Sequence, residues 1–349
     1  MKIKETYLNK IDSNDNPELN NVLNLQFLFD ITNDSYNCLF NNTFVAFRTI
    51  DSLFYLIYTT LNNSIICFDL DNFKKISEIK NPNDKKIRAI KHYADIKNKN
   101  DLVMTIYPME RNLRLWNVKN WECLLFINNI YIENILYSAC FYNKNNTIYI
   151  VTANCNYFGD SELIKIFDLQ GNKIKEINDS NDAALIIEIY YDKKNSKDYI
   201  ITGNKNYFKS FEIEKNCFYH KYFEYANGAH INLIIEEHNE IIKLIECCED
   251  GNIRIWNFNS GILINKIKIN NYEIFNICLW NKQYLIAGSK DNSIYIYDMK
   301  NSKIVKTLLG HQNNVICIQK INHEKYGECL ISQGLENDNI KLWVIKNES

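Results

Sequence analysis

The sequence predicts an all-β fold, a seven-bladed β-propeller of four-stranded antiparallel blades. Two observations carry this. Aromatic residues recur in register near the end of a short strand, at Phe68, Trp116, Phe167, Phe211, Trp256, Tyr297 and Trp343, with spacings of 48, 51, 44, 45, 41 and 46 residues. Each stands between the same neighbours, and no convincing helical segment interrupts them. Four short strands at a period of about 40–50 residues is the arithmetic of propeller blades.

Each strand of the unit can be read in turn. The aromatic strand is the third, in "SIICFDL", "NLRLWNV", "LIKIFDL", "YFKSFEI", "NIRIWNF", "SIYIYDM" and "NIKLWVI". Before it runs a second strand ending at a polar turn, as in "DYIITGNKN", "IIKLIECCEDG" and "YLIAGSKDN". After it, a polar turn leads to a fourth strand, as in "KKISEIK", "ECLLFIN" and "KIVKTLL". One more apolar run opens the next unit, as in "ILYSACFY", "ALIIEIYY" and "IFNICLW". Runs this apolar fit sheets covered on both faces, where alternation fades. A lone blade cannot bury both faces, so residues 1–349 are expected to form one propeller domain.

These residues resemble the WD-repeat family of seven-bladed propellers, over about residues 41–349. The clearest signature is Gly310-His311 leading to "IKLW" at Ile340 to Trp343. The last unit stops after its third strand, so the resemblance implies that the N-terminal segment, residues 1–40, supplies a fourth strand that closes the ring. "VLNLQFLFDI", residues 22–31, is the candidate and "IKETYLNKI", residues 3–11, its rival. The resemblance also implies a hydrogen-bonded tetrad of His, Ser or Thr, Asp and Trp within a blade. Here the repeats are worn. The last blade offers His311, Ser332, Trp343 and either Asn337 or Asp338. The fifth offers His230, Asp250 and Trp256, with Glu246 where the hydroxyl belongs. The sixth offers Asp291 with no matching His, and Tyr297 in place of Trp.

Composition bounds the function. Lysine and arginine number 40 against 42 acids, a net charge of −2, which argues against a nucleic-acid binder. Eleven cysteines, most of them inside apolar runs and none in a CxxC, point to a reducing compartment, cytoplasmic or nuclear. No run approaches a membrane span, and the N-terminus lacks a signal-peptide core. More than fifty asparagines read as codon bias, with spots such as "YNKNNT" expected to be ordinary loops.

No catalytic site is expected. No Gly-rich phosphate loop, GxSxG or HExxH is present. A metal site among Cys217, His220, His230, His238, Cys247 and Cys248 lacks the short paired spacing that zinc needs. Neither a metal nor another cofactor is expected.

The resemblance implies a scaffold that grips proteins or peptides and is monomeric alone. Loops joining second to third strands, and fourth strands to the next first strand, share one face. They give a candidate partner face of Met109, Arg111, Tyr157, Phe158, Tyr207, Glu249, Tyr272, Lys290 and Glu336. Exposed aromatics and Arg are enriched at binding hot spots. Tyr157 and Phe158, on a long blade-three turn, either contact a partner or plug the neighbouring blade. Trp121, on the opposite face, is expected to be a packing residue. The alternative function is a reader of a modified peptide, or of an anionic lipid or nucleic-acid backbone; a channel-sited hydrolase or lyase would need acids or histidines converging at the axis.

Overall fold

The computed structural model describes residues 24–31, 43–60, 62–80, 85–132, 134–155, 162–179, 184–204, 206–224, 228–238, 241–335 and 338–345. Among them are twenty-eight strands in seven four-stranded antiparallel sheets, and no helix. Blade one runs from Phe44 to Ile79, blade two from Ala89 to Ile127, and blade three from Ile135 to Asp179. Blade four runs from Ile186 to Phe223, blade five from His230 to Lys268, and blade six from Ile274 to Leu309. Blade seven takes three strands from Val315 to Ile345, and Leu25–Asp30 lies antiparallel to the last of them as its outer strand. The rival segment, residues 3–11, lies outside the described residues.

Every seam between blades holds its own apolar cluster. Leu56 and Phe68 of blade one meet Ile331 and Leu342 of blade seven, Ile57 and Cys67 meet Val103 and Trp116 of blade two, and so on around the circle. The clusters explain why the strands read as continuous apolar runs: second and third strands are covered on both faces. Their cysteines act as small hydrophobes. Burial pushes the Cys67, Cys248 and Cys329 thiols up to about 12, so they stay protonated.

Turn chemistry recurs as well. Asp69 accepts the backbone N–H groups of Asp71 and Asn72, and Asn72 donates its side-chain amide back at 2.7 Å. The same Asp–x–x–Asn clasp closes the turns at Asp95–Asn98, Asp192–Asn195 and Asp298–Asn301. An Asp that bonds its own downstream backbone holds a tight turn without help from tertiary packing. In "YNKNNT", Asn145 and Asn146 both have positive φ, 51° and 61°. They form a two-residue hairpin turn between Lys144 and Thr147, the geometry for which asparagine is suited.

Candidate functional site

The tetrad is complete in blade seven. The Nδ1 of His311 lies 2.8 Å from Asp338 Oδ2, and its Nε2 lies 2.6 Å from Ser332 Oγ. Trp343 Nε1 donates to the same Ser332 Oγ at 2.7 Å. One tautomer satisfies all of this: Nδ1–H donates to the carboxylate and Nε2 accepts the serine proton. Asp338 also takes the N–H groups of Gln312 and Asn313, at 2.8 and 3.1 Å. Burial would raise its pKa, but the hydrogen bond and charge of His311 and these amides hold it below the ordinary carboxylate value. Asp338, not Asn337, fills the turn position; Asn337 lies outside the described residues.

Elsewhere the network is rebuilt with other chemistry. In blade five, Glu246 stands at the hydroxyl position and reaches His230 Nδ1 at 2.9 Å. Asp250 does not join His230. It turns to Arg254, whose Nη2 lies 2.5 Å away, because that guanidinium is fully buried and needs counter-charge. Arg254 also meets Glu224 at 2.5 Å and Glu246 at 3.6 Å. Trp256, large and buried, is left with no hydrogen-bond partner for Nε1, since the long arm of Glu246 offers no oxygen there. In blade six the place of the absent histidine is taken by Asn270, which donates to Ser289 Oγ at 2.8 Å and to Asp291 Oδ2 at 3.1 Å. Tyr297 packs among the apolar residues of the seam with blade five. Blade two keeps half a tetrad, Trp116 Nε1 donating to Thr105 Oγ1 at 2.9 Å. Apart from Trp256 Nε1, His230 Nε2 and Glu246 Oε1, which make no hydrogen bond, these buried groups are partnered inside the blades, which makes them a stabilising framework.

The candidate partner face is less uniform than the sequence suggests. Met109 is 74% exposed and Tyr272 54% exposed. Arg111, in a positive-φ turn, donates to the carbonyl of Ile132, and its own carbonyl receives the Ile130 N–H at 2.9 Å. This ties the blade-two turn to the loop ahead of blade three, on which Ile132 is 84% exposed. Ile132 was missed because its run, "INNIYIENI", reads as strand; the signal was a hydrophobic stretch longer than the fourth strand needs. Lys290 is exposed but paired with Glu273 at 2.7 Å. The Glu249 carboxylate accepts the Ala229 N–H at 2.8 Å. Tyr207 is not presented: it is buried, with the Lys221 ammonium 3.7 Å from its ring centroid. Tyr157, Phe158 and Glu336 lie outside the described residues.

At the axis, Lys91 on the inner strand of blade two reaches past blade three to Glu188 of blade four, 3.0 Å away. The Glu188 charge raises the Lys91 pKa against the opposing effect of burial. On the opposite face, Trp121 is half-buried against the seam of blades one and two.

No protein-family model matches the chain. It is 30% identical over 101 residues to Protein SPA1-RELATED 3 of Arabidopsis thaliana, a match covering 27% of this chain and 11% of that protein. It is 30% identical over 107 residues to the WD repeat-containing protein 55 homolog of Dictyostelium discoideum, covering 27% and 26%. It is 30% identical over 116 residues to Nuclear distribution protein PAC1 of Candida albicans, covering 32% and 23%. The matches thus span 11% to 26% of these relatives' lengths. Among solved structures, BBS1N in complex with ARL6DN superposes with a TM-score of 0.71 at 9% identity, over 93% of this chain and 97% of that one. That likeness concerns the fold alone.

Proposed function

We propose that this chain, a WD-repeat seven-bladed β-propeller, serves as a non-catalytic protein-interaction scaffold inside the cell. The observation that carries the reading is the exposure of Met109, Ile132 and Tyr272 on loops of one face of a rigid ring. Large apolar side chains held in water on the loops of one face of a scaffold are a feature of contact surfaces. The charged members of that face, Arg111, Glu249 and Lys290, already have partners within the chain. A reader of an anionic backbone would need cations left unpaired, so the scaffold reading is the better supported. Tyr157, Phe158 and Glu336 belong to the same proposed face by their place in the repeat. The pairing of Leu25–Asp30 with the last strand is read as the closure that makes residues 1–349 one cooperative domain.

The test is affinity purification with mass spectrometry from the native cell type. Wild type would run beside a Met109→Asp/Ile132→Asp/Tyr272→Ala variant whose circular dichroism matches it. The expected result is a set of stoichiometric partners captured by wild type and lost from the variant. An empty wild-type capture overturns the reading.

A further inference from the structure

The turn between third and fourth strands has a positive-φ residue in each of blades one to six, and in blades one and two that residue packs into the adjoining seam. In blade one it is Phe73, φ 51°, which stacks on His323 with centroids 5.5 Å apart and meets Phe29 at 4.8 Å. Phe73 thereby caps the seam between blades seven and one. In blade two it is Trp121, φ 55°, packed into the seam between blades one and two. In blade three Gly171 lies against Leu125, and in blade five Gly261 lies beside His220, next to a seam crowded by Tyr190, Tyr199 and Phe258. Blade four has Asn216, φ 54°, exposed to solvent. Beside it the seam between blades three and four opens as a cleft of about 350 Å³.

The cleft wall is apolar, formed by Tyr142, Tyr149, Ile174 and Ile213, with Lys144 and Lys175 among its lining. The strand register shows what those lysines replace. Lys175 pairs with Ile166 where Phe29 pairs with Leu342, and Lys144 ends its inner strand where His323 ends the inner strand of blade seven. Two cations therefore stand where the filled seam has Phe29 and His323. Lys175 donates to the carbonyls of Ile213 and Glu214, which are neutral acceptors. Lys144 is paired with Glu214, the acid of the cleft lining. Burial, and the charge of Lys144 beside it, lower the Lys175 pKa, so an added anion would relieve both.

We infer that this cleft is a docking site for an acidic peptide segment of a partner, whose aromatic side chain takes the place that Phe73 holds in the seam of blades seven and one, and whose carboxylate meets Lys175, the lysine with no acid paired to it among the described residues. The proposal rests on the scaffold reading in one respect, that the occupant is a segment of protein. It uses a different surface from the Met109–Tyr272 face. The volume lies at the lower end of the roughly 300–1,000 Å³ of specific ligand pockets, suited to one anchoring side chain.

The test is fluorescence polarisation of the full chain with a labelled peptide of one phenylalanine flanked by glutamates. Saturable binding is expected, weakened at least about tenfold when alanine replaces the phenylalanine or lysines replace the glutamates. Asn216→Phe supplies the blade-one residue at the same turn position and should close the cleft and abolish binding. Lys175→Ala and Ile174→Glu, both at exposed or half-exposed positions, should each weaken it at least about tenfold and serve if Asn216→Phe does not fold. Lys290→Glu, on the other face, should leave it unchanged. No binding by wild type up to about 1 mM, or binding retained in folded variants of the cleft, overturns the proposal. Peptide bound here with no protein captured from cells would count against the scaffold reading alone. Capture that proceeds while the peptide is not bound would count against the cleft alone.

Discussion

Gln319 carries its side-chain amide across the seam between the last and first blades and pairs with the backbone of Ala46. The Ala46 N–H donates to Gln319 Oε1 at 2.9 Å, and Gln319 Nε2 donates to the Ala46 carbonyl at 2.6 Å. The amide thus does for two inner strands what a backbone peptide does within a sheet. Two further contacts cross the same seam: Thr43 donates to Gln333 Oε1 at 3.0 Å, and His323 Nε2 lies 3.0 Å from the Leu70 carbonyl. Gln319→Leu keeps most of the volume but leaves both Ala46 groups without partners. Each orphaned group costs roughly 1–3 kcal/mol when buried. A loss of about 1–3 kcal/mol in urea-induced unfolding is expected, since the pair is only partly buried at that edge. An unchanged midpoint would show that water replaces the amide at no cost.

The tetrad of blade seven gives a larger effect. Ser332→Ala strands both His311 Nε2 and Trp343 Nε1 in a buried site, where each has no other acceptor or donor among its contacts. The expected destabilisation is about 2–4 kcal/mol. In blade two, Thr105→Val removes the acceptor of Trp116 and the donor of a longer hydrogen bond, 3.3 Å, to Tyr107 Oη, and should cost somewhat less. A larger loss in Thr105→Val than in Ser332→Ala would contradict the claim that the two short bonds to the serine carry the greater share.

Acid should weaken blade five through Asp250. Burial acts to raise this carboxyl, but the hydrogen bonds and charge of Arg254 win and hold it at about 2, against an ordinary 3.8. A depressed carboxylate stabilises the fold fully above the unfolded value and loses that contribution as pH falls through the folded one. The window is therefore pH 3.8 down to about 2, and the contribution at stake is about 2 kcal/mol. Asp250→Asn should be less stable than wild type at neutral pH, with the gap closing across that window. A gap that stays constant with pH would mean that Arg254 is satisfied by Glu224 and Glu246 instead.

The periodicity of one aromatic per unit exposed the seven blades, because a blade must bury both faces and repeats the same apolar pattern to do so. It also placed Trp343, Ser332 and His311, whose spacing follows from strand length. What periodicity could not reveal was the choice among polar partners. Asp250 sits at the expected turn, yet the buried Arg254 four residues later captures it, and Glu246 meets His230 at Nδ1, whereas Ser332 meets His311 at Nε2. Asn270 stands in for histidine with no change in the hydrophobic pattern. The candidate face was legible as a set of loops but not as a set of exposed side chains. Tyr207 folds under Lys221, whereas Ile132 projects because Arg111 pins the carbonyl beside it. Such choices depend on which neighbour lies across a turn, and a turn's sequence does not record that.

The outer strand of blade seven is the most economical place to test closure. Leu25 and Ile31 are buried, Phe27 packs edge-on to Trp343 at 5.7 Å, and Asp30 pairs with Lys341 at 2.7 Å. Without Leu25–Asp30, the strand Ile340–Ile345 would offer a row of unpaired N–H and C=O groups along an apolar edge, a template for pairing with other chains. A chain lacking residues 1–31 should therefore aggregate or unfold at a lower temperature, and a synthetic peptide of residues 22–31 added in trans should restore part of the loss. Lys341→Met keeps the strand but removes the ion pairs with Asp30 and, at 3.8 Å, with Asp338; its cost should be smaller than that of losing the strand. Size-exclusion chromatography with light scattering and a thermal melt read both effects. A truncated chain that stays monomeric with an unshifted melt would show that the apolar cluster between blades seven and one holds the ring by itself, and that the N-terminal strand only decorates it.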